Sequence, residues 1–342
     1  MTLEFLSQKE RVSLDLQDMY SKFGFVKYKI NRFEEYSFYM EKEQFLNDNR
    51  ILTFSDSHGK LMALKPDVTM SIVKNSLKSQ EKHHKIYYNE SVFRIPKGED
   101  DFKEIHQIGV EYIGPAKEYQ TLEILNLAVK SLEKTSEDYR ICLSNTALLL
   151  CLLKESKLEQ KETIIQYMRQ KNSHDLAKYL SEEKIPQGDI FLRLLTLPSD
   201  LEEGLATLKI LSNDTEFQKT LEEFRQILEM FQQFVPKEKV YLDFSHIPST
   251  EYYDGLVFSG YIQGLSLPVL VGGRYDNLIE KMGVSGQSAL GFAVDLSAVD
   301  KLFGGETQTV TEILEKKGES VVDLMEKANM LYQEGKTFQI MT

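Results

Sequence analysis

The sequence predicts an α+β fold in which a mostly antiparallel sheet is flanked by helices and divided in the chain by a helical insertion. Strand patterns occur in residues 25–114 and return in residues 239–296. Between them, from Asn145 to Pro236, Leu, Gln, Glu and Lys recur at helical spacing with little glycine. The sheet is therefore split in sequence and must rejoin in space.

The first part of the chain alternates helices and strands. Apolar residues recur at helical spacing from Ser7 to Phe23, and Gly24 follows where a helix would end. The run FVKYKINRF has the pattern of one strand, and Phe38 to Phe45 that of a short helix. Residues 50–67 hold two apolar runs around the turn-rich SDSHG, which predicts a hairpin.

The next segments contain the longest strand patterns. A helix is predicted to start at Asp67. The strands KIYYNESVFRI and KEIHQIGVEYIG follow it, joined by the polar loop PKGEDD, and Glu118 to Lys134 predicts another helix. After the insertion, strand patterns return at KVYLDFSHI, GLVFSGYIQG, PVLVGG and SALGFAVDL.

These patterns predict a core over residues 1–303, which includes the helical insertion at 145–236. A short, charged C-terminal tail follows over residues 304–342, with one helical stretch near Ser320 to Tyr332.

Composition limits the classes of function. A chain of 342 residues with 42% hydrophobic residues can bury a sizeable core, and a net charge of -12 argues against extended contact with a phosphate backbone. Cys142 and Cys151 have no metal-binding or redox spacing and suit a reducing cytosol as packing residues. No secretory or membrane-spanning pattern is present, so we expect a cytoplasmic protein. We also expect it to hold no metal and no cofactor.

The segment LMALKPDVT ends a strand at a proline and opens a helix, which places Asp67 and Thr69 beside free backbone amides. Such a corner can hold a ligand ammonium group. The alternative is that Asp67 only caps the helix.

In HQIGVEYIG, strand alternation places Gln107, Gly109 and Glu111 on one face. Gly109 leaves a gap where something can lie across the sheet. The alternative is a solvated strand face. Arg94, in SVFRI, can hold a phosphate or carboxylate with two hydrogen bonds, or can be an ordinary surface ion-pair partner.

Two later segments also allow both a functional and a structural interpretation. EYYDGLVF places Tyr252 and Tyr253 before a turn, where tyrosines are also common core residues. GGRYDNL sets Arg274 and Asp276 after a glycine pair, which is also a common turn.

Taken together and in this order, the segments resemble the catalytic core of histidyl-tRNA synthetase, a class II aminoacyl-tRNA synthetase, from about Leu3 to Phe303. GFVKYKINRFE is similar to the first class II motif, although Asn31 stands where a proline is expected. VFRIPKGEDDFKEIHQIGVEYIG is similar to the second motif and ALGFAVDL to the third. LKPDVT resembles the family's LRPEGT, EYYDG resembles its histidine-recognition segment LDYYTG, and GGRYDNL is similar to the corresponding segment of the family.

The resemblance implies a histidine pocket and an anion site. Asp67, Thr69 and Gln107 would face the ligand amino group, Glu111, Tyr252 and Tyr253 would lie near its imidazole, and Arg94 would hold the phosphate. Two arginines of the synthetase pattern are replaced by Pro248 and Ala298. The residues after Phe303 are too few for a full anticodon-binding domain.

A synthetase-like core with these losses resembles the regulatory subunits of ATP phosphoribosyltransferase. That resemblance implies a non-catalytic protein that activates a short-form catalytic subunit in the first step of L-histidine biosynthesis, in a hetero-octamer of four plus four chains. It also implies self-association through the first motif, near Gly24 to Glu35, and feedback inhibition by histidine. Two alternatives stay open: an adenylating enzyme in which Lys103 or Arg274 replaces a lost arginine, and a paralogue that binds another protein or RNA, although the acidic charge argues against RNA, including tRNA.

Overall fold

The computed structural model describes residues 6–40, 51–76, 83–95, 101–155, 161–185, 188–245, 252–283, 286–303, 312–315, 320–336 and 338–341. The helices are α1 (Gln8–Lys22), α2 (Tyr36–Met40), α3 (Thr69–Ser76), α4 (Glu118–Thr135), α5 (Thr146–Glu155), α6 (Lys161–Arg169), α7 (Ser173–Glu182), α8 (Asp189–Leu195), α9 (Leu201–Lys209), α10 (Thr215–Phe231), α11 (Asp276–Lys281), α12 (Leu296–Leu302) and α13 (Val321–Gln333).

The strands belong to three sheets. They are β1 (Val26–Lys27), β2 (Phe33–Glu35), β3 (Thr53–Ser55), β4 (Leu61–Leu64), β5 (His84–Arg94), β6 (Lys103–Gly114), β7 (Tyr139–Asn145), β8 (Val240–Leu242), β9 (Leu256–Ile262), β10 (Leu270–Arg274), β11 (Ser288–Asp295), β12 (Glu312–Glu315) and β13 (Phe338–Met341). An eight-stranded sheet has the order β1-β5-β6-β11-β10-β9-β7-β8. Its two outermost pairings, β1 with β5 and β7 with β8, are parallel, and its other pairings are antiparallel. This mostly antiparallel sheet flanked by helices confirms the predicted α+β architecture.

The two faces of the large sheet have different coverings. One face packs against α1, α4 and the insertion helices in an extended apolar core that includes Val110 and Phe292. Tyr20 of α1 and Ser131 of α4 are joined under this face by a hydrogen bond of 2.8 Å between their hydroxyls. The other face packs against α3 and α11 in a smaller cluster that includes Tyr88.

Within the described part of residues 145–236, the regular elements are the helices α5 to α10, apart from the last residue of β7, as the spacing predicts. Helices α9 and α10 begin at side-chain caps, where Asp200 and Asp214 each accept hydrogen bonds from two backbone amides. Phe217, Phe224 and Phe231 lie on one side of α10 and are buried in the core. The boundaries of the insertion as a separate unit stay a prediction.

The prediction of a single strand over FVKYKINRF is wrong. Val26 and Lys27 pair with β5 of the large sheet, whereas Phe33 begins β2 in a separate three-stranded sheet with β3 and β4. Between them, the Ile30 amide donates at 3.3 Å to the side chain of Glu90 in β5, not to the backbone of that strand. This side-chain hydrogen bond takes the place of a backbone hydrogen bond between strands, so the chain leaves the large sheet there.

The other predicted elements agree with the structure apart from their ends, but strand β7 was not predicted. The predicted hairpin forms from β3 and β4, and the Asp56 carboxylate holds its turn by accepting from the His58 and Lys60 amides at 2.8 Å. Helix α2 begins at Tyr36, before the predicted Phe38, and residues 41–45 lie outside the described residues. The tail contains the predicted helix, α13, between β12 and β13, two parallel strands that the sequence analysis missed. No helix within the described ranges is long and apolar enough to span a membrane.

Candidate functional site

The predicted ligand-facing strand is β6, whose neighbours define one face of the sheet. Gly291 of β11 lies directly opposite Glu111, and Tyr88 of β5 lies directly opposite Gly109. Side chains of directly opposite residues point to the same side of a sheet. We call the side that carries Gln107, Gly109 and Glu111 the site face.

Glu111 lies near the centre of the site face, with 2% of the residue exposed. The Thr69 hydroxyl donates to its Oε1 at 2.5 Å, and the Tyr275 hydroxyl donates to its Oε2. Burial raises the pKa of Glu111 to about 8, and the two hydrogen bonds offset only part of that rise. This carboxyl is therefore mostly protonated at neutral pH and can donate as well as accept.

Two glycines make this arrangement possible. A Cβ at Gly291 would overlap the Glu111 carboxylate, and a Cβ at Gly109 would lie 2.6 Å from the Tyr88 hydroxyl. The predicted gap at Gly109 is thus occupied by the side chain of Tyr88, which is itself buried. Any ligand that crosses the sheet at this point would contact or displace Tyr88.

Asp67 caps a helix, which was the alternative to ligand binding at this position. Its Oδ1 accepts from the Met70 amide at 2.8 Å, at the start of α3. Burial raises the pKa of Asp67, while the hydrogen bond from Met70 and the positive charge of Arg94 lower it. Arg94 and Asp67 therefore lie close enough to interact electrostatically.

Three tyrosine rings cluster over Glu111. The ring centroids of Tyr252 and Tyr253 lie 4.8 Å apart, and those of Tyr252 and Tyr275 lie 5.7 Å apart. Burial raises the pKa of Tyr252 and Tyr253, and the nearby carboxylates of Glu111 and Asp67 raise it further. Their hydroxyls are therefore neutral hydrogen-bonding groups beside two carboxyls.

Gln107 is also on the site face but lies away from the group of residues around Glu111. It is four residues from Glu111 along β6, a separation of roughly 13 Å at the usual strand rise. Arg94 lies directly opposite Lys103 at the far end of the β5–β6 pair. The structure thus gathers Asp67, Thr69, Glu111, Tyr252 and Tyr253, with Arg94 close to Asp67 and Gln107 farther along the strand.

Arg274 lies on the opposite face, because it pairs with the core residue Leu290. Its guanidinium donates to Asp276 at 2.9 Å and to the Ser288 hydroxyl at 2.8 Å. Asp254 in turn accepts from the Asp276 amide at 3.1 Å. The GGRYD segment therefore holds a structural turn, and Arg274 does not supply a cation to the site face.

A buried ion pair under the site was missed by the sequence analysis. Lys65 is fully buried, and its Nζ donates to Glu90 Oε2 at 3.1 Å. Burial lowers the pKa of Lys65, and the negative charge of Glu90 opposes that change. Lys65 stands in LKPDVT where the LRPEGT pattern has arginine, so the exchange could have been noticed. Its partner Glu90 is 25 residues away in sequence, and no local signal connects the two.

The site face also carries acidic groups away from Glu111. Glu90, Gln107 and Asp295 lie side by side across β5, β6 and β11. Asp295 also caps α12 by accepting from the amides of Ser297 and Ala298 at 2.8 and 3.1 Å. Ala298 packs against the apolar core. Pro248, the other position at which the resemblance implies a lost arginine, lies outside the described residues.

The sequence model of the histidyl-tRNA synthetase family matches residues 2–299 of this chain. The ATP phosphoribosyltransferase regulatory subunit of Caldanaerobacter subterraneus subsp. tengcongensis is 27% identical, and the match covers 98% of this chain and 90% of that protein.

Two solved structures share the fold. A protein from Bacillus halodurans described as an ATP phosphoribosyltransferase regulatory subunit/histidyl-tRNA synthetase has a TM-score of 0.81 at 20% identity, covering 97% of this chain and 88% of its own. A chain of the ATP phosphoribosyl transferase (HisG:HisZ) complex of Thermotoga maritima has a TM-score of 0.67 at 21% identity, covering 83% of this chain and 96% of its own. With a class II synthetase-like core and a family match over most of its length, this chain belongs to the histidyl-tRNA synthetase family.

Proposed function

We propose that this chain is a non-catalytic regulatory subunit of ATP phosphoribosyltransferase, which binds and activates a short-form catalytic subunit in the first step of L-histidine biosynthesis. The observation that carries the proposal is the match to a regulatory subunit over 98% of this chain and 90% of that relative. The shared fold with a chain of the Thermotoga maritima complex is consistent with it.

The chemistry of the site face supports a non-catalytic role. Adenylation gathers negative charge on phosphate oxygens in the transition state, and fixed cations must stabilise that charge. The family's arginine is replaced here by Ala298, and Asp295 adds a carboxylate three residues before it. Losing one such donor typically costs about 3 to 4 kcal/mol of transition-state stabilisation. Arg274 cannot compensate, because it lies on the opposite face.

The proposed mechanism is thermodynamic coupling in a cytoplasmic hetero-octamer of four regulatory and four catalytic chains. A subunit that binds the active conformation of its partner more tightly shifts the population toward activity without contributing a catalytic group. Self-association is proposed through the first motif, where β1 is an edge strand and Val26 is 69% exposed. An open strand edge beside an exposed apolar side chain is suited to pairing with another chain.

The test is the formation of phosphoribosyl-ATP by a purified short-form catalytic subunit with and without this chain. We expect a marked rise in rate on addition, co-elution of the two proteins, and no histidine-dependent pyrophosphate exchange by this chain alone. The rival function, an adenylating enzyme, is favoured by the pairing of Arg94 with Lys103 on the site face. Pyrophosphate exchange without activation of the catalytic subunit would establish that rival.

We further propose that histidine binds among Asp67, Thr69, Gln107, Glu111, Tyr252 and Tyr253, with Arg94 able to hold an anion. Tyr253→Phe should then raise the histidine concentration needed for half-inhibition of the complex several-fold, because a neutral hydroxyl beside Glu111 is lost. Activation of the catalytic subunit should not change. The matched control is Tyr119→Phe, at a hydroxyl on the surface of α4. Unchanged inhibition would mean that histidine acts at another site.

A further inference from the structure

The three-stranded sheet of β2, β3 and β4, which we call the small sheet, meets the large sheet at Lys65. This residue follows β4 directly. Its amide donates to the Arg32 carbonyl at 2.9 Å, and its carbonyl accepts from the Phe93 amide of β5 at 2.9 Å. The backbone of one residue is therefore bonded both to the segment that leads into β2 and to a strand of the large sheet.

The Lys65 side chain makes a second connection between the same parts of the chain. It is fully buried, and its Nζ donates to Glu90 Oε2 at 3.1 Å. The other carboxylate oxygen of Glu90 accepts from the Ile30 amide at 3.3 Å. Glu90 of β5 thus holds the end of β4 through one oxygen and the segment before β2 through the other. Removing one partner of a buried ion pair leaves the other charge buried and unpaired, which is strongly unfavourable.

The Lys65 ammonium group lies among several acidic side chains at this junction. Burial lowers the pKa of Lys65, and nearby negative charges oppose that change. These charges belong to Glu90 of β5, Asp67 before α3 and Glu34 of β2. Glu34 is also paired with Lys74 of α3 at 2.5 Å. Without the charge of Lys65, acidic groups from three parts of the chain would repel one another.

Little apolar burial holds the small sheet in place. Ala63 is the only residue of its three strands that is buried. Phe33, Phe54 and Leu61 are 50%, 37% and 44% exposed. Elements with few buried apolar contacts are those that open locally while the rest of a protein stays folded. The polar contacts at Lys65 therefore supply a large part of what fixes the small sheet to the large one.

We propose that the Lys65–Glu90 pair is a latch between the two sheets, and that when it opens the small sheet moves as a unit while the large sheet stays folded. The latch lies between two regions with proposed roles. The first motif continues into β2 at Phe33, and Asp67 and Thr69 of the proposed histidine pocket follow Lys65 in the chain. The state of the latch therefore couples self-association to the arrangement of the pocket. Only this coupling depends on the proposed function.

The latch is tested by hydrogen exchange of the full chain, read by mass spectrometry for each strand, in the wild type and in the double variant Lys65→Met with Glu90→Gln. The double variant removes both charges, keeps an oxygen that can accept from the Ile30 amide, and leaves neither charge of the pair buried alone. Its urea midpoint should stay close to that of the wild type. Amides of β2, β3 and β4 should nevertheless exchange at least about tenfold faster, while those of β7 and β9 keep their wild-type rates.

The matched control is Lys60→Met, because Lys60 pairs with Glu35 in the same small sheet at 2.5 Å, but at the surface. An exposed ion pair contributes little, so the small sheet of this control should exchange as in the wild type. The latch is refuted if the small sheet of the double variant exchanges no faster than that of the control. It is equally refuted if β7 and β9 accelerate by the same factor, since the pair would then support only the stability of the whole fold.

The coupling is measured separately, by sedimentation of the wild type and the double variant over a range of concentrations. The double variant should self-associate at least about tenfold more weakly, because its first motif is no longer held in one arrangement. Equal association of the two proteins would overturn the coupling. A wild-type chain that stays monomeric at every concentration would contradict the proposed self-association and the coupling with it, whereas hydrogen exchange would still decide the latch. The two failures are therefore distinguishable.

Discussion

Gly291→Ala is expected to destabilise the protein by about 3 kcal/mol, the upper end of the usual range for overpacking a well-packed interior. The Cβ of the introduced alanine would overlap the Glu111 carboxylate and the Val110 carbonyl oxygen. Neither can move easily, because the carboxylate is held by Thr69 and Tyr275 and the carbonyl belongs to strand β6. Urea denaturation should show a lower midpoint with an unchanged slope.

The matched control is Gly255→Ala, where the nearest atom is 3.2 Å from the added Cβ and belongs to the flexible stem of Arg274. We expect a cost below about 1 kcal/mol there, because a flexible side chain can shift. Adding Glu111→Ala to Gly291→Ala should recover part of the loss, since contacting residues are non-additive. A cost for Gly291→Ala as small as that of Gly255→Ala would show that Glu111 does not lie over Gly291.

Local sequence patterns correctly predicted the elements that depend only on residues close together in the sequence. The alternation in β6 correctly placed Gln107, Gly109 and Glu111 on one face, and the SDSHG turn identified the hairpin of β3 and β4. Strand β7 was missed although Tyr139, Ile141 and Leu143 alternate, because it is short and adjoins the helical insertion. Alternation over so few residues is a weak signal beside a long helical pattern.

Non-local contacts within the site could not be predicted. The partners of Glu111, Thr69 and Tyr275, are 42 and 164 residues away, so no sequence spacing reveals that their hydroxyls converge on one carboxyl. The split of FVKYKINRF has a similar origin, because it depends on a hydrogen bond from Ile30 to the distant Glu90 side chain. Tyr275 had a local clue, since it lies between Arg274 and Asp276 in GGRYDNL.

The pH dependence of stability should reveal the state of Glu111. Its pKa in the folded protein, about 8, lies above its ordinary value of 4.5 because of burial. The proton is therefore bound more tightly in the folded state, so the stability contributed by the neutral carboxyl is complete below pH 4.5. It is lost as the pH rises toward about 8. Since a tenfold change in proton affinity is worth about 1.4 kcal/mol, this group alone should lower the free energy of unfolding by about 4 kcal/mol over that range.

Glu111→Gln isolates this effect, because the amide has the shape of the protonated carboxyl and cannot ionise. Its free energy of unfolding should match that of the wild type at pH 4.5 and exceed it by about 4 kcal/mol near pH 8, measured by urea denaturation at both pH values. Glu137→Gln, at an exposed carboxyl, is the control and should follow the wild type throughout. A constant difference between Glu111→Gln and the wild type would mean that folding does not raise the pKa of Glu111. The Thr69 and Tyr275 hydroxyls would then outweigh burial, and the site face would present a fixed negative charge to any ligand.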